Sequence, residues 1–403
     1  MHIDLLSPET FAQGHPVDQY QWLQDNAPLY WHDEPDGRGF WVVTRYEDVA
    51  EIGRQAHIFS SEPTVMIEDP IPGEGANVDD EHKMMLMMDP PQHTQFRKII
   101  SREFTRGPAA ALKPRVAELA SRIIDNVIDR GECEFVSEVA GELPSYVIAE
   151  LTGIPLEDGR ELYKLTEIIH SAAETLPENA QRDAVLKMFG YAQGVYRDKL
   201  ANPSEDLASQ IIHAEVEGRR LDEIDFQLFF MLLIDAGGDT TRNLVAGGLH
   251  LLMQHPEKFQ DWRQHRSADL DASARDELLR MVCPVIQFRR TLMRDVELHG
   301  QTLKEVTRLC ATSARPITTG GSLMHPPKCV WIVFLTNRSH LAPVPMYAWG
   351  NTSRGSRSTA CSMKYSNAWT ISAMRSHPSG SPQTSSAAYA ICRWSSLRAN
   401  RSS

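Results

Sequence analysis

The run Ala236-Gly237-Gly238-Asp239-Thr240-Thr241 sets a carboxylate beside two hydroxyls in the middle of a long apolar stretch, "LFFMLLIDAGGDTTRNLVAGGLHLLM". Each glycine costs about 1 kcal/mol relative to alanine inside a helix, so the run reads either as a local opening of the helix or as its end, with Asp239 or Thr240 capping a second helix. No lysine follows the glycines, which argues against a phosphate loop. In "MMDPPQHTQFRKIISREF", Asp89 and two prolines can start a helix that carries His93 and Arg97 four apart on one face. Both donate hydrogen bonds to carboxylates; the alternative is a solvated basic face. Glu277 and Arg280, in "ELLR", have the i, i+3 spacing of a helix ion pair, worth about half a kcal/mol or less when exposed. Arg290, in "QFRRT" just past Pro284, lies where an extended segment can deliver another guanidinium.

The elements that must position these groups are mostly helical. In "AAALKPRVAELASRIIDNVIDRG" the residues Val116, Leu119, Ile123 and Val127 form one stripe, and Gly131 stands where a helix should stop. "SYVIAELTGIPLEDGRELYKLTEIIH" predicts a second helix broken at Gly153 and Pro155, with the next beginning near Glu157. "FWVVTRYEDVAEI" (Phe40 to Ile52) reads as a short strand turning into a helix, so a small sheet is expected near the start of the chain. There is no internal repeat and no long linker before Glu305.

With 403 residues, 42% of them hydrophobic, the chain can bury a sizeable core. No apolar run reaches the length of a membrane span, and the six cysteines form no CxxC pair, so a reducing, cytoplasmic setting is expected. The net charge of -12 conceals a break. From Val306 to Ser403 there is no Asp or Glu against 11 Lys and Arg; all 53 acids and the other 30 bases precede it, leaving -23 in front and +11 behind. A basic tail of this kind suggests a nucleic-acid or acidic partner. The bases are scattered singly, however, and Trp331, Trp349, Trp369 and Trp394 lack the periodicity of a stacking platform, so no nucleic acid is expected.

In their order along the chain, "FSS" (Phe59 to Ser61), "HTQFR", "AGGDTT", "ELLR" and "FRRT" resemble the haem-thiolate monooxygenases of the cytochrome P-450 superfamily, over roughly residues 15 to 305. The resemblance implies a mainly α, prism-shaped helical domain with a small β-region and a haem b between two helices. It implies that His93, Arg97 and Arg290 pair with the haem propionates and that Glu277 and Arg280 brace the haem-binding core. Ala236 and Gly237 would line the distal side of the haem. Asp239 and Thr240 would relay protons there, where an opening of the helix admits oxygen and water.

The iron ligand breaks the pattern. The family's thiolate sits in a glycine-rich FGxGxHxCxG loop, and none of Cys310, Cys329, Cys361 and Cys392 lies in such a loop, so no metal ligand is assigned. The genetic code accounts for this. Met and Trp each have a single codon, so "PMYAWG" within "VPMYAWGN" is encoded CCN ATG TAY GCN TGG GGN, and reading from the third base permits His-Val-Cys-Leu-Gly. Extended back to His340, the neighbouring frame permits "FGAGPHVCLG", with the Cys codon straddling Tyr347 and Ala348. Forward, "NTSRGSRSTACSMKYS" permits a helix-like "QHLARLEVDSMLNEVL", and "VTRLC" permits "GDKVV". Loss of one G from a GGG run at Glu305 accounts for all three. Residues 1-305 are therefore expected to form the catalytic-family domain, and 306-403 an out-of-frame tail that does not follow the fold.

The function implied is insertion of one oxygen atom of O2 into a C–H bond of an apolar substrate, a steroid, terpenoid or long-chain lipid. A ferredoxin and its reductase would supply two electrons, since no flavin or nicotinamide segment is apparent. Without the Cys the chain as it stands is expected to be inactive. The alternatives are an inert frameshifted product, or a non-catalytic binding relative with a basic tail.

Overall fold

The computed structural model describes residues 1–312, apart from 13, 36, 70–80 and 172–175, together with the strand Ile391–Arg393. From the start of the chain, strands β1 (Leu29–His32) and β2 (Phe40–Val43) lead into helix α1 (Tyr46–Arg54) and strand β3 (Phe59–Ser60). Helices α2 (Gln92–Ile100), α3 (Lys113–Ile128), α4 (Glu142–Thr152) and α5 (Leu156–His170) follow. Then come the long α6 (Glu223–Gln254), α7 (Ala268–Val282), and strands β4 (Gln287–Leu292) and β5 (Arg308–Thr312), with further helices and hairpins before and between them. Over the described residues the chain divides into two compact units, the first within 1–104, 186–233 and 283–312, the second within 105–185 and 234–282 together with the strand Ile391–Arg393.

The first unit holds the sheet. Its strand order is β1-β2-β5-β4-β3, antiparallel except where β5 runs parallel to β2, with Leu309 opposite Trp41. Leu29, Val43, Val49, Ile52, Phe59, Leu292 and Leu309 are buried together, which joins α1 and all five strands to one core. The strand-to-helix reading of Phe40 to Ile52 is realised as β2 and α1. Strand β5, which begins just past Glu305, is the central strand, and all five of its residues are buried. Arg308 donates to the carbonyls of Ile67 and Gly39, each at 2.9 Å, and ion-pairs with Glu34. The physical reason is that a cation followed by apolar residues suits this position, and the neighbouring frame's "KVV" would present the same pattern.

The second unit is helical. The stripe expected on α3 is buried, with Val116, Leu119, Ile123 and Val127 packed among Phe135, Val139, Leu143 and Tyr146. Gly131 has a positive φ of 72°, just past the helix. Likewise α4 ends at Gly153 in the left-handed conformation (φ 68°), where a side chain would be strained, and α5 starts at Leu156. The strand Ile391–Arg393 pairs antiparallel with Glu132–Glu134, Cys392 opposite Cys133. No helix among the described residues is long and apolar enough to cross a membrane.

Candidate active site

In the first unit, Asp89 organises the cationic group. Its carboxylate accepts from Ser60 Oγ and from the Ser61 amide at 3.0 Å, while its carbonyl accepts from the His93 amide at 2.9 Å and so opens α2. His93 and Arg97 are half-buried one turn apart on that helix. Arg290 comes from β4, and its Nη1 donates to the Arg289 carbonyl at 2.8 Å. It keeps some open surface, yet it is enclosed deeply enough that burial pushes its pKa down to about 10, opposed by the charge of Asp89. An interior guanidinium with open surface is suited to receive a carboxylate. Its neighbour Arg289 points the other way along the pleat, 2% exposed, to Asp69 at 2.8 Å and the Ile67 and Glu68 carbonyls. The doubled arginine therefore splits into a structural residue and a candidate binding residue.

In the second unit, α6 passes through Ala236 to Thr241 without interruption, which corrects the expectation of an opening or an end there. The glycines relieve crowding between helices instead. A Cβ on Gly238 would meet Tyr163 of α5 at 2.8 Å, and one on Gly237 would meet Ile148 of α4 at 3.3 Å. Thr240 Oγ1 donates to the Ala236 carbonyl at 3.1 Å, one turn back, a bond that competes with the helix ladder. Ala236 is exposed and Thr240 half-exposed in mid-helix, whereas Ile234, Gly238 and Thr241 are buried. One face of α6 thus presents an alcohol on unfilled surface.

Asp239 is ion-paired with Arg242 and accepts from Asn243 Nδ2 at 3.1 Å. Arg242 also binds Glu167 of α5 at 2.7 Å and lies 5.6 Å over the Tyr163 ring. Nothing in the spacing alone singled out Arg242, although an i, i+3 partner for Asp239 was there to be found. Burial raises the pKa of Tyr163, and the hydrogen bond that His170 Nε2 donates to the Asp235 carboxylate at 2.6 Å raises that of His170. Glu277 and Arg280 form a two-pronged pair on α7, at 2.8 and 2.7 Å, with Arg280 the more buried partner. The position expected for the axial Cys, near Tyr347 and Ala348, lies outside the described residues, as does most of the tail.

This arrangement has close relatives. The chain is 33% identical over 316 residues to a steroid C26-monooxygenase of Mycolicibacterium smegmatis, covering 76% of this chain and 73% of that one. It is 34% identical over 273 residues to a methyl-branched lipid omega-hydroxylase of Mycobacterium tuberculosis, covering 66% of this chain and 62% of that one. The chain belongs to the cytochrome P-450 superfamily. Among solved structures, a Mycobacterium marinum cytochrome P-450 in complex with pseudoionone superposes with a TM-score of 0.70 at 26% identity, over 90% of this chain and 89% of that one. A Bacillus megaterium cytochrome P-450 in complex with testosterone gives 0.65 at 25%, over 77% of this chain and 78% of that one. No protein-family model matches the chain. The mainly helical cytochrome P-450 fold with a small sheet is therefore the fold of this protein, and its family is one of haem-dependent monooxygenases.

Proposed function

We propose that the protein derives from a monooxygenase that hydroxylates an apolar substrate of the steroid or branched-lipid class. The observation that carries this is the acid and alcohol of Asp239 and Thr240 beside an unfilled face of α6, in a chain whose relatives act on such substrates. The donor set fits a haem on its propionate side: His93, Arg97 and the deeply enclosed Arg290 are the cations for two carboxylates, with Glu277 and Arg280 bracing α7. Bound haem would supply the iron at which O2 is activated. Thr240 would hold a proton donor on the open face, and Asp239 would exchange protons with solvent. Electrons would come from a ferredoxin and its reductase.

We propose further that the domain ends in frame at Glu305 and that residues 306-403 are read out of frame, so that the chain as it stands is inactive. The acid-free tail supports this, as does the share matched by the steroid C26-monooxygenase relatives: 76% of this chain, the fraction that precedes Val306. Sequencing the DNA across the codons for Gln301 to Asn351 is the direct test. A GGG run at Glu305 would mean that the tail is a reading error. If the shorter run is real, restoring the base should yield a haem-thiolate protein that hydroxylates steroids or lipids when given ferredoxin and reductase. In that restored enzyme Thr240→Ala should lower product formation on the order of a hundredfold at unchanged haem content. Turnover equal to the parent would remove the relay.

A further inference from the structure

Asp239 does not stand alone on α6. One of its oxygens is ion-paired with Arg242 and the other accepts from Asn243 Nδ2 at 3.1 Å. Arg242 spans outward through Nη1 to Glu167 Oε1 at 2.7 Å, so one guanidinium is divided between a carboxylate on α6 and a carboxylate on α5. Four residues earlier, Asp235 binds His170 at the end of α5 at 2.6 Å. Two acids one turn apart on α6 thus face two α5 residues one turn apart, and the Tyr163 ring fills the space between, under Arg242 and against Gly238.

We propose that Arg242 is a positioning residue that ties the Asp239 carboxylate to the seating of α5, through Glu167. This rests on the reading of Asp239 as the proton-handling acid. With Glu167 in place, the guanidinium is shared and Asp239 keeps one oxygen for Asn243. When Glu167 is withdrawn, by movement of α5 or by substitution, Asp239 is the one carboxylate left to the guanidinium, whose Nε also donates to Asn243 Oδ1 at 3.3 Å. A two-pronged arginine pair then draws both oxygens away from Asn243 and from any proton donor. Proton delivery at Thr240 would so depend on α5 being seated.

The test uses the full chain with asparagine-selective 15N labelling, following the side-chain amide of Asn243, identified by its loss in Asn243→Ala. Glu167 reaches Asn243 by way of Arg242, whose Nε donates to Asn243 Oδ1 at 3.3 Å; the Nδ2 protons, which Asp239 accepts, report the carboxylate. Glu167→Gln should move the Asn243 amide protons upfield, as their acceptor is withdrawn. Glu161→Gln, on the same helix and ion-paired with Lys164, should leave them in place. If neither substitution moves the signal, or if both move it alike, the proposal is overturned. The readout needs no haem, so its failure is distinct from a failure of the monooxygenase reading, which would show as absent turnover in the frame-restored chain.

Discussion

A guanidinium whose pKa is pushed down by burial carries a desolvation cost in its charged form. Arg290 is such a group, with burial the larger influence and Asp89 the opposing one. Replacing it with Met should therefore raise the stability of the haem-free chain by about 1 kcal/mol or more, because an apolar side chain of similar length avoids the desolvation. In the frame-restored chain the same change should weaken haem binding about 10- to 100-fold, the value of a lost charge-assisted hydrogen bond. Thermal melting of the first protein and haem transfer from the second check the pair, and equal signs would mark Arg290 as merely structural. His170 gives a pH dependence. Asp235 holds its pKa above the unfolded value of about 6.5, so the pair stabilises fully below that pH and loses its contribution as pH rises through the folded value. The gap in Tm between the parent and Asp235→Asn should be widest near about pH 5.5 and narrow toward about pH 8.5. A gap that widens with pH would mean that His170 is not the titrating partner. The effect will be small, since the His170 side chain is 42% exposed.

At the scale of helices, the glycines of α6 make opposed predictions with those of the helix Ala180–Ala201. Gly238→Ala gains helix propensity of about 1 kcal/mol but drives a methyl into the Tyr163 ring, which Arg242 covers on its face. Overpacking of that kind costs roughly 1–3 kcal/mol, so the variant should melt lower than the parent. Gly190→Ala meets nothing within 4 Å and should melt higher. These contacts also show where the sequence was readable. The buried stripe of α3 and the break at Gly153 were legible because helix periodicity and capping are local. The alternation that parts Arg289 from Arg290 was legible in principle, since it needs only a period of two. The use made of Gly237 and Gly238 was not. Their neighbours, Ile148 and Tyr163, lie some 75 to 90 residues earlier, and nothing in the run itself names them. The same distance hid Glu167 as the partner of Arg242.

At the scale of the molecule, the sheet joins segments far apart in the chain. Its central strand β5 lies parallel to β2 and antiparallel to β4, and so joins residues near 40 to residues near 310. No local pattern could have supplied those pairings; the expected boundary at Glu305 comes from the acid-free tail and the neighbouring frame, which carry no information on the sheet. The consequence is measurable. A chain ending at Glu305 loses the strand that links the β1–β2 pair to the β4–β3 pair, together with the Arg308 bonds to Gly39 and Ile67. The unpaired edges of β2 and β4 would leave buried backbone groups without partners, at about 1–3 kcal/mol each. That chain should fail to fold its first unit and should aggregate. A chain ending at Thr312 keeps every strand of the sheet and should show a protease-resistant core. Limited proteolysis of the two truncations decides the point: equal resistance would mean that β5 is dispensable. A resistant core only in the longer one would show that the seven residues after Glu305 complete the fold of the first unit.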